Sequence, residues 1–78
     1  MDVRVLSWNV HGLTRDKLED KQFIEKITNN DVLFLYETWA NKDSVLEISG
    51  FKCVNYYRKF QNRRARRCSG GVAVYIKN

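Results

Sequence analysis

Two short stretches of the chain are apolar at almost every position. Residues 3–10 read VRVLSWNV and residues 31–39 read DVLFLYETW. Runs of this length that are apolar on both sides, rich in β-branched and aromatic residues, predict buried strands. Between them the spacing changes: Phe23, Ile24 and Ile27 fall on one face of a helical wheel. Asp20 stands where a helix N-cap belongs, and Asn29 and Asn30 tolerate the left-handed backbone that ends helices, so the pattern predicts a helix from Lys21 to Thr28. Strand, helix and strand in that order, with both strands buried, predict a crossover unit in an α/β layer.

Beyond the second strand the signals are sparser. Gly50 punctuates a stretch in which Phe51, Val54 and Tyr56 suggest a third strand. Gly70-Gly71 leads into VAVYIK, a last strand whose Val72, Val74 and Ile76 share one face. No repeat or linker interrupts residues 1–78, which read as one structural unit with no internal domain boundary.

Composition changes this picture little. A chain of 78 residues with 44% hydrophobic and 29% charged side chains belongs to something folded, yet one this short removes only about 60% of its unfolded surface from water. No apolar run approaches the roughly 18 residues needed to cross a bilayer, and Asp2 and Arg4 interrupt the start where a signal peptide would need a continuous apolar core. The expectation is an intracellular address, the nucleus included, with no membrane partner. Cys53 and Cys68 have neither CxxC spacing nor a histidine cluster, and are expected to be free thiols.

The formal charge of +5 is concentrated. Arg58, Arg63, Arg64, Arg66 and Arg67 lie in one loop, with Tyr56, Tyr57 and Phe60 nearby for stacking. Guanidinium groups pair bidentately with phosphates and release counterions, so the loop is a candidate grip on a DNA backbone. A solvated loop or a localisation-type basic cluster is the alternative.

Candidate chemistry sits at the strand ends. Alternation places Val3, Val5, Ser7 and Asn9 on one face of the first strand, and Leu33, Leu35, Glu37 and Trp39 on one face of the second. Ligands of open α/β sheets bind outside the carboxyl ends of strands, where an amide and a carboxylate brought together could hold a hard cation and a phosphate oxygen. The side chains of Asn9 and Glu37 are therefore expected to converge. Either residue alone would ordinarily be a cap or a solvated strand end.

In their order, LSWNVHGL, DVLFLYETW, SGF and SGGVAVYIK resemble the opening motifs of the endonuclease/exonuclease/phosphatase superfamily. The arginine-rich loop before GGVAVYIK is most similar to the endonuclease domain of LINE-type retrotransposons. The resemblance implies the amino-terminal part of a four-layer α/β/β/α sandwich, incomplete in this chain. It implies a Mg²⁺-dependent DNA endonuclease with Asn9 near the scissile phosphate and Glu37 as the metal ligand.

In the family a histidine–aspartate pair activates the attacking water and an Asp-x-Asn segment stabilises the transition state. Those motifs are absent from this sequence, and His11, in the turn after the first motif, does not match the family's late histidine. The chain is therefore expected to be inactive by itself. A nucleic-acid-binding remnant without catalysis, and a phosphoesterase of another branch, are the alternatives. The sequence departs from the family at Tyr36, where glutamine is usual. Tyr36 is expected to face away from Glu37, so the change falls on what surrounds the metal site.

Overall fold

The computed structural model describes residues 2–41, 43–57 and 70–78. The two apolar runs form parallel neighbours, β1 (Val5–Asn9) and β2 (Val32–Tyr36), in register from Val5 opposite Val32 to Asn9 opposite Tyr36. Parallel strands need a crossover, and here two helices supply it: α1 (Arg15–Glu19) and α2 (Lys21–Thr28).

The second helix has the predicted bounds. Asp20 accepts from the backbone N–H groups of Gln22 (2.9 Å) and Phe23 (3.3 Å), and Asn29 is the C-cap, with a right-handed backbone (φ −72°) instead of the left-handed one expected of Asn29 and Asn30. The first helix falls in a polar segment for which the sequence predicts no element. Thr14 caps it, accepting from the Lys17 N–H at 3.3 Å, and Asp20 both ends α1 and begins α2. A five-residue helix without a buried residue leaves no apolar stripe to read.

β3 (Phe51–Tyr56) and β4 (Val72–Lys77) complete a single sheet in the order β1-β2-β4-β3, with β4 antiparallel to both of its neighbours. The register sorts the side chains. Leu6, Leu33, Tyr75 and Cys53 form one row across the sheet; Trp8, Leu35, Ala73 and Asn55 form the next. These rows face the helices. Leu33, Leu35, Ala73, Tyr75 and Ile27 have no exposed surface, and Val10, Leu13, Ala40, Leu46 and Ile48 join the same cluster.

Phe23 and Ile24 pack against that cluster, as their helical spacing predicts, and Trp8 meets Phe23 at 5.5 Å between ring centroids. Tyr75 donates its hydroxyl to the Leu46 carbonyl at 2.6 Å. Burial holds its phenol well above the ordinary tyrosine range, reinforced by the neighbouring Cys53.

The opposite rows hold Val5, Ser7, Asn9, Val32, Phe34, Tyr36, Val72, Val74 and Ile76, together with Lys52, Val54 and Tyr56 of β3. On this face Val5, Tyr36, Val54, Tyr56 and Ile76 are exposed, and Phe34, Val72 and Val74 are partly so. Val72, Val74 and Ile76 share it as predicted.

The strands proper are shorter than the apolar runs. β2 stops at Tyr36 because Glu37 has φ 57°, a left-handed backbone that no strand continues through. This corrects the expectation that alternation carries Glu37 and Trp39 on the face of Leu33 and Leu35. The described residues contain a mixed α/β unit with one four-stranded sheet, and no helix among them is long and apolar enough to cross a membrane. Cys53 is a free thiol, whereas Cys68 lies outside the described residues.

Candidate active site at the carboxyl edge of the parallel strands

Because β1 and β2 are parallel, their carboxyl ends reach the same edge; because β4 is antiparallel to β2, it begins there. Three segments meet at that edge. Val10 donates to the Tyr36 carbonyl (2.9 Å), Gly12 to that of Glu37 (2.6 Å) and Leu13 to that of Thr38 (2.9 Å). From the other side Thr38 donates to the Gly71 carbonyl (3.3 Å) and Trp39 to that of Gly70 (2.9 Å). Residues 37–39 are thus held between the turn after β1 and the start of β4.

Among the described residues, the non-glycine positions with left-handed backbone are His11 (φ 48°), Glu37 (φ 57°) and Trp39 (φ 58°), all of them here. Such a conformation costs about 1–3 kcal/mol per residue and persists only where its surroundings enforce it. Two glycines supply part of that enforcement. At Gly12, with φ 93°, a Cβ would lie 2.6 Å from Trp39 Cζ3. At Gly71, with φ 91°, it would lie 2.6 Å from Thr38 Oγ1. The glycine of the first motif is therefore shaped to the tryptophan of the second, and a glycine of the last motif to its threonine. Thr38 is buried, and its Oγ1 accepts from the Ala40 N–H at 3.4 Å.

The predicted site residues Asn9 and Glu37 both lie at this edge. Asn9 stands opposite Tyr36 in the register, so Glu37 follows directly after its cross-strand partner. Each side chain is oriented locally. Asn9 Oδ1 accepts from the His11 N–H at 3.1 Å, and Glu37 Oε2 accepts from Trp39 Nε1 at 3.2 Å. Asn9 is exposed and Glu37 half-buried. Tyr36 points to the open sheet face, 40% exposed.

One oriented carboxylate is a donor set that suits Mg²⁺, which takes one or two protein carboxylates and fills its octahedron with waters and phosphate oxygens. Among the described residues no group of three or more His, Cys, Asp or Glu side chains converges.

Sequence reasoning missed Lys17. Its Nζ donates to the carbonyls of Val10, His11 (3.2 Å) and Gly12 (2.8 Å), tying α1 to the turn that follows Asn9. A lysine in a polar stretch ordinarily reads as solvated, and nothing in its spacing marks it out. Thr38 was missed too, although its place between Glu37 and Trp39 in a compact motif was the available signal.

The predicted nucleic-acid contacts Arg58, Arg63, Arg64, Arg66 and Arg67 lie outside the described residues, as does Phe60. Tyr56 and Tyr57, which precede them in the sequence, are exposed. A cleft of about 680 Å³ opens elsewhere, lined by Leu13, α1 residues and residues 44–47; it contains none of the predicted site residues.

Residues 6–78 match the family model described as Endonuclease/Exonuclease/phosphatase family. No curated protein matches the chain.

Proposed function

This chain belongs to the endonuclease/exonuclease/phosphatase family, and on that premise we propose that it is the amino-terminal part of a Mg²⁺-dependent DNA endonuclease of the LINE-type retrotransposon kind. The observation that carries the reading is the Glu37 carboxylate, held on a left-handed backbone at the carboxyl edge of the parallel strands and oriented by Trp39. Strain concentrated at one rim, in the motifs that carry the family resemblance, is what a preorganised site requires.

In this reading Glu37 ligates Mg²⁺, which when bound polarises a phosphodiester oxygen and offsets the charge developing in hydrolysis. Asn9, its carbonyl oxygen committed to the His11 N–H, presents its amide N–H groups to a phosphate oxygen at the same rim. The arginines in the sequence before β4 hold the DNA backbone, and the exposed Tyr56 and Tyr57 add stacking surface. The place of the arginine-rich segment directly before GGVAVYIK supports the retrotransposon branch over the other phosphoesterases.

Water activation is assigned to residues beyond this set. The chain has one histidine, and His11 forms part of the turn, with its backbone N–H on Asn9. The open apolar sheet face supports a continuation of the fold as a second sheet, the remainder of a four-layer sandwich.

The metal site is tested by titrating the chain with Mn²⁺ as a paramagnetic substitute and following amide signals. Broadening should centre on Glu37 and disappear in Glu37→Gln; broadening centred elsewhere defeats the assignment. Supercoiled plasmid incubated with the chain and Mg²⁺ should stay uncut, and nicking that vanishes in Glu37→Ala would overturn the claim of inactivity. A DNA-binding remnant without a metal site is the second reading, favoured by the arginine cluster. Salt-dependent duplex binding with no Mn²⁺ focus at Glu37 would select it.

A further inference from the structure

Three consecutive peptide groups follow Asn9, and each is held at both ends. The plane joining Val10 to His11 gives its carbonyl to Lys17 Nζ and its N–H to Asn9 Oδ1. The plane joining His11 to Gly12 gives its carbonyl to Lys17 Nζ at 3.2 Å and its N–H to the Glu37 carbonyl at 2.6 Å. The plane joining Gly12 to Leu13 gives its carbonyl to Lys17 Nζ at 2.8 Å and its N–H to the Thr38 carbonyl at 2.9 Å. C=O and N–H of a trans peptide point in opposite directions, so whatever gathers the three carbonyls aims the three N–H groups. An ammonium has three donors and no acceptor, which matches three converging carbonyls in number and in charge.

We propose that Lys17 is a positioning residue of the site: its ammonium gathers the three carbonyls of Val10, His11 and Gly12, and so sets the Asn9 side chain and the left-handed backbone of Glu37 through the N–H groups of the same peptides. The inference rests on the reading of Asn9 and Glu37 as phosphate- and metal-binding groups, and assigns that site a part which touches neither ligand. Lys17 reaches the turn from α1, whose N-cap Thr14 accepts from the Lys17 N–H at 3.3 Å, so the lysine is anchored at its backbone as well as at its tip. Arginine would not replace it. A planar guanidinium delivers its N–H groups in a flat fork, whereas three oxygens gathered around one nitrogen call for a compact, tripodal donor.

A role in stability alone and a role in positioning predict different results for the full chain. Lys17→Met keeps the aliphatic stem and removes the charge. In that variant hydrogen exchange at His11, Gly12 and Leu13 should accelerate about tenfold or more while the Tyr75 amide of the central strand stays protected. Mn²⁺ affinity at Glu37 should fall by about tenfold, as when groups that orient a metal ligand are lost.

Lys17→Ala leaves space for a small cation. Methylammonium should restore both the protection and the Mn²⁺ affinity, and tetramethylammonium, which has no N–H to donate, should restore neither. Unchanged exchange in Lys17→Met, or lost protection with undiminished Mn²⁺ affinity, overturns the proposal. Should Lys17→Met not fold, the decision passes to Lys17→Ala in the two ammonium salts; refolding in methylammonium without recovered Mn²⁺ affinity also overturns it. If the unsubstituted chain shows no Mn²⁺ focus at Glu37, the functional reading fails, and the ammonium's hold on the turn is upheld by exchange that is lost and then rescued, or refuted by exchange that does not change.

Discussion

On the helix-bearing face of the sheet, Leu33, Leu35, Ala73 and Tyr75 have no exposed surface, whereas on the other face Val5, Tyr36, Val54, Tyr56 and Ile76 keep 40 to 62% of theirs. The same strands supply both faces, and in residue type the two are nearly equally apolar. A sheet meant to meet water on one side alternates apolar with polar residues. This one does so only in part, at Ser7, Asn9 and Lys52. The difference between the faces therefore lies in what covers them. It teaches that the apolar character of a strand does not by itself tell which of its faces is covered. The helices cover Leu33 and Leu35, and the residues left partly uncovered, Phe34 and Tyr36, are their neighbours in sequence.

The largest effect should come from the finished face. Leu35→Ala removes a fully buried side chain and should cost about 2–5 kcal/mol, enough to abolish a cooperative melt by circular dichroism. If instead the melt survives intact, that face is not the core. Next is Tyr75→Phe, which strips the Leu46 carbonyl of its donor and should cost about 1–3 kcal/mol.

That variant also carries a pH signature. Burial keeps the folded phenol protonated above the pH of about 10 at which an unfolded tyrosine ionises. In that range the native state holds more protons than the unfolded state, so stability is full below the unfolded pKa and falls as pH rises above it. Denaturant midpoints measured from neutral to alkaline pH should decline less steeply in Tyr75→Phe. An unaltered slope would remove Tyr75 from that account.

Asp20→Ala should cost about 1 kcal/mol by uncapping α2, which forms part of the cover of the finished face. Smallest should be Val54→Thr and Ile76→Thr on the open face, each within about 0.5 kcal/mol of the parent while lowering self-association in sedimentation. A large loss of stability from either would mean that the open face is already packed, and the contrast between the faces would collapse.

Much of this was legible in the sequence. Periodicity and caps located α2 to the residue, because Asp20 and Asn29 act locally and Ile27 reports the buried side. The parallel crossover was legible from two continuous apolar runs flanking a helix, and the shared face of Val72, Val74 and Ile76 from alternation within the strand. The candidate site was visible in the sequence as motifs but not as geometry. Alternation fails at Glu37, where a positive φ ends the strand, and no local rule marks that position in advance. The fits of Gly12 to Trp39 and of Gly71 to Thr38 join residues 27 and 33 positions apart, and the three carbonyls at Lys17 depend on where a short, nearly featureless helix comes to lie. Such relations exist only once the sheet has assembled.

The position of β4 bears on how that assembly proceeds. β2 and β3 are consecutive strands, yet they never pair; β4 stands between them and supplies hydrogen bonds to both. As the chain leaves the ribosome, β1 and β2 can close on their helices early, but β3 has no partner until β4 arrives. Until then the outer edge of β2 lies open to any other strand, and residues 70–71 are not yet in place to hold Thr38 and Trp39. The nascent chain thus spends its most aggregation-prone interval waiting for a keystone, and the rim that bears Glu37 takes its form in the same event that closes the sheet.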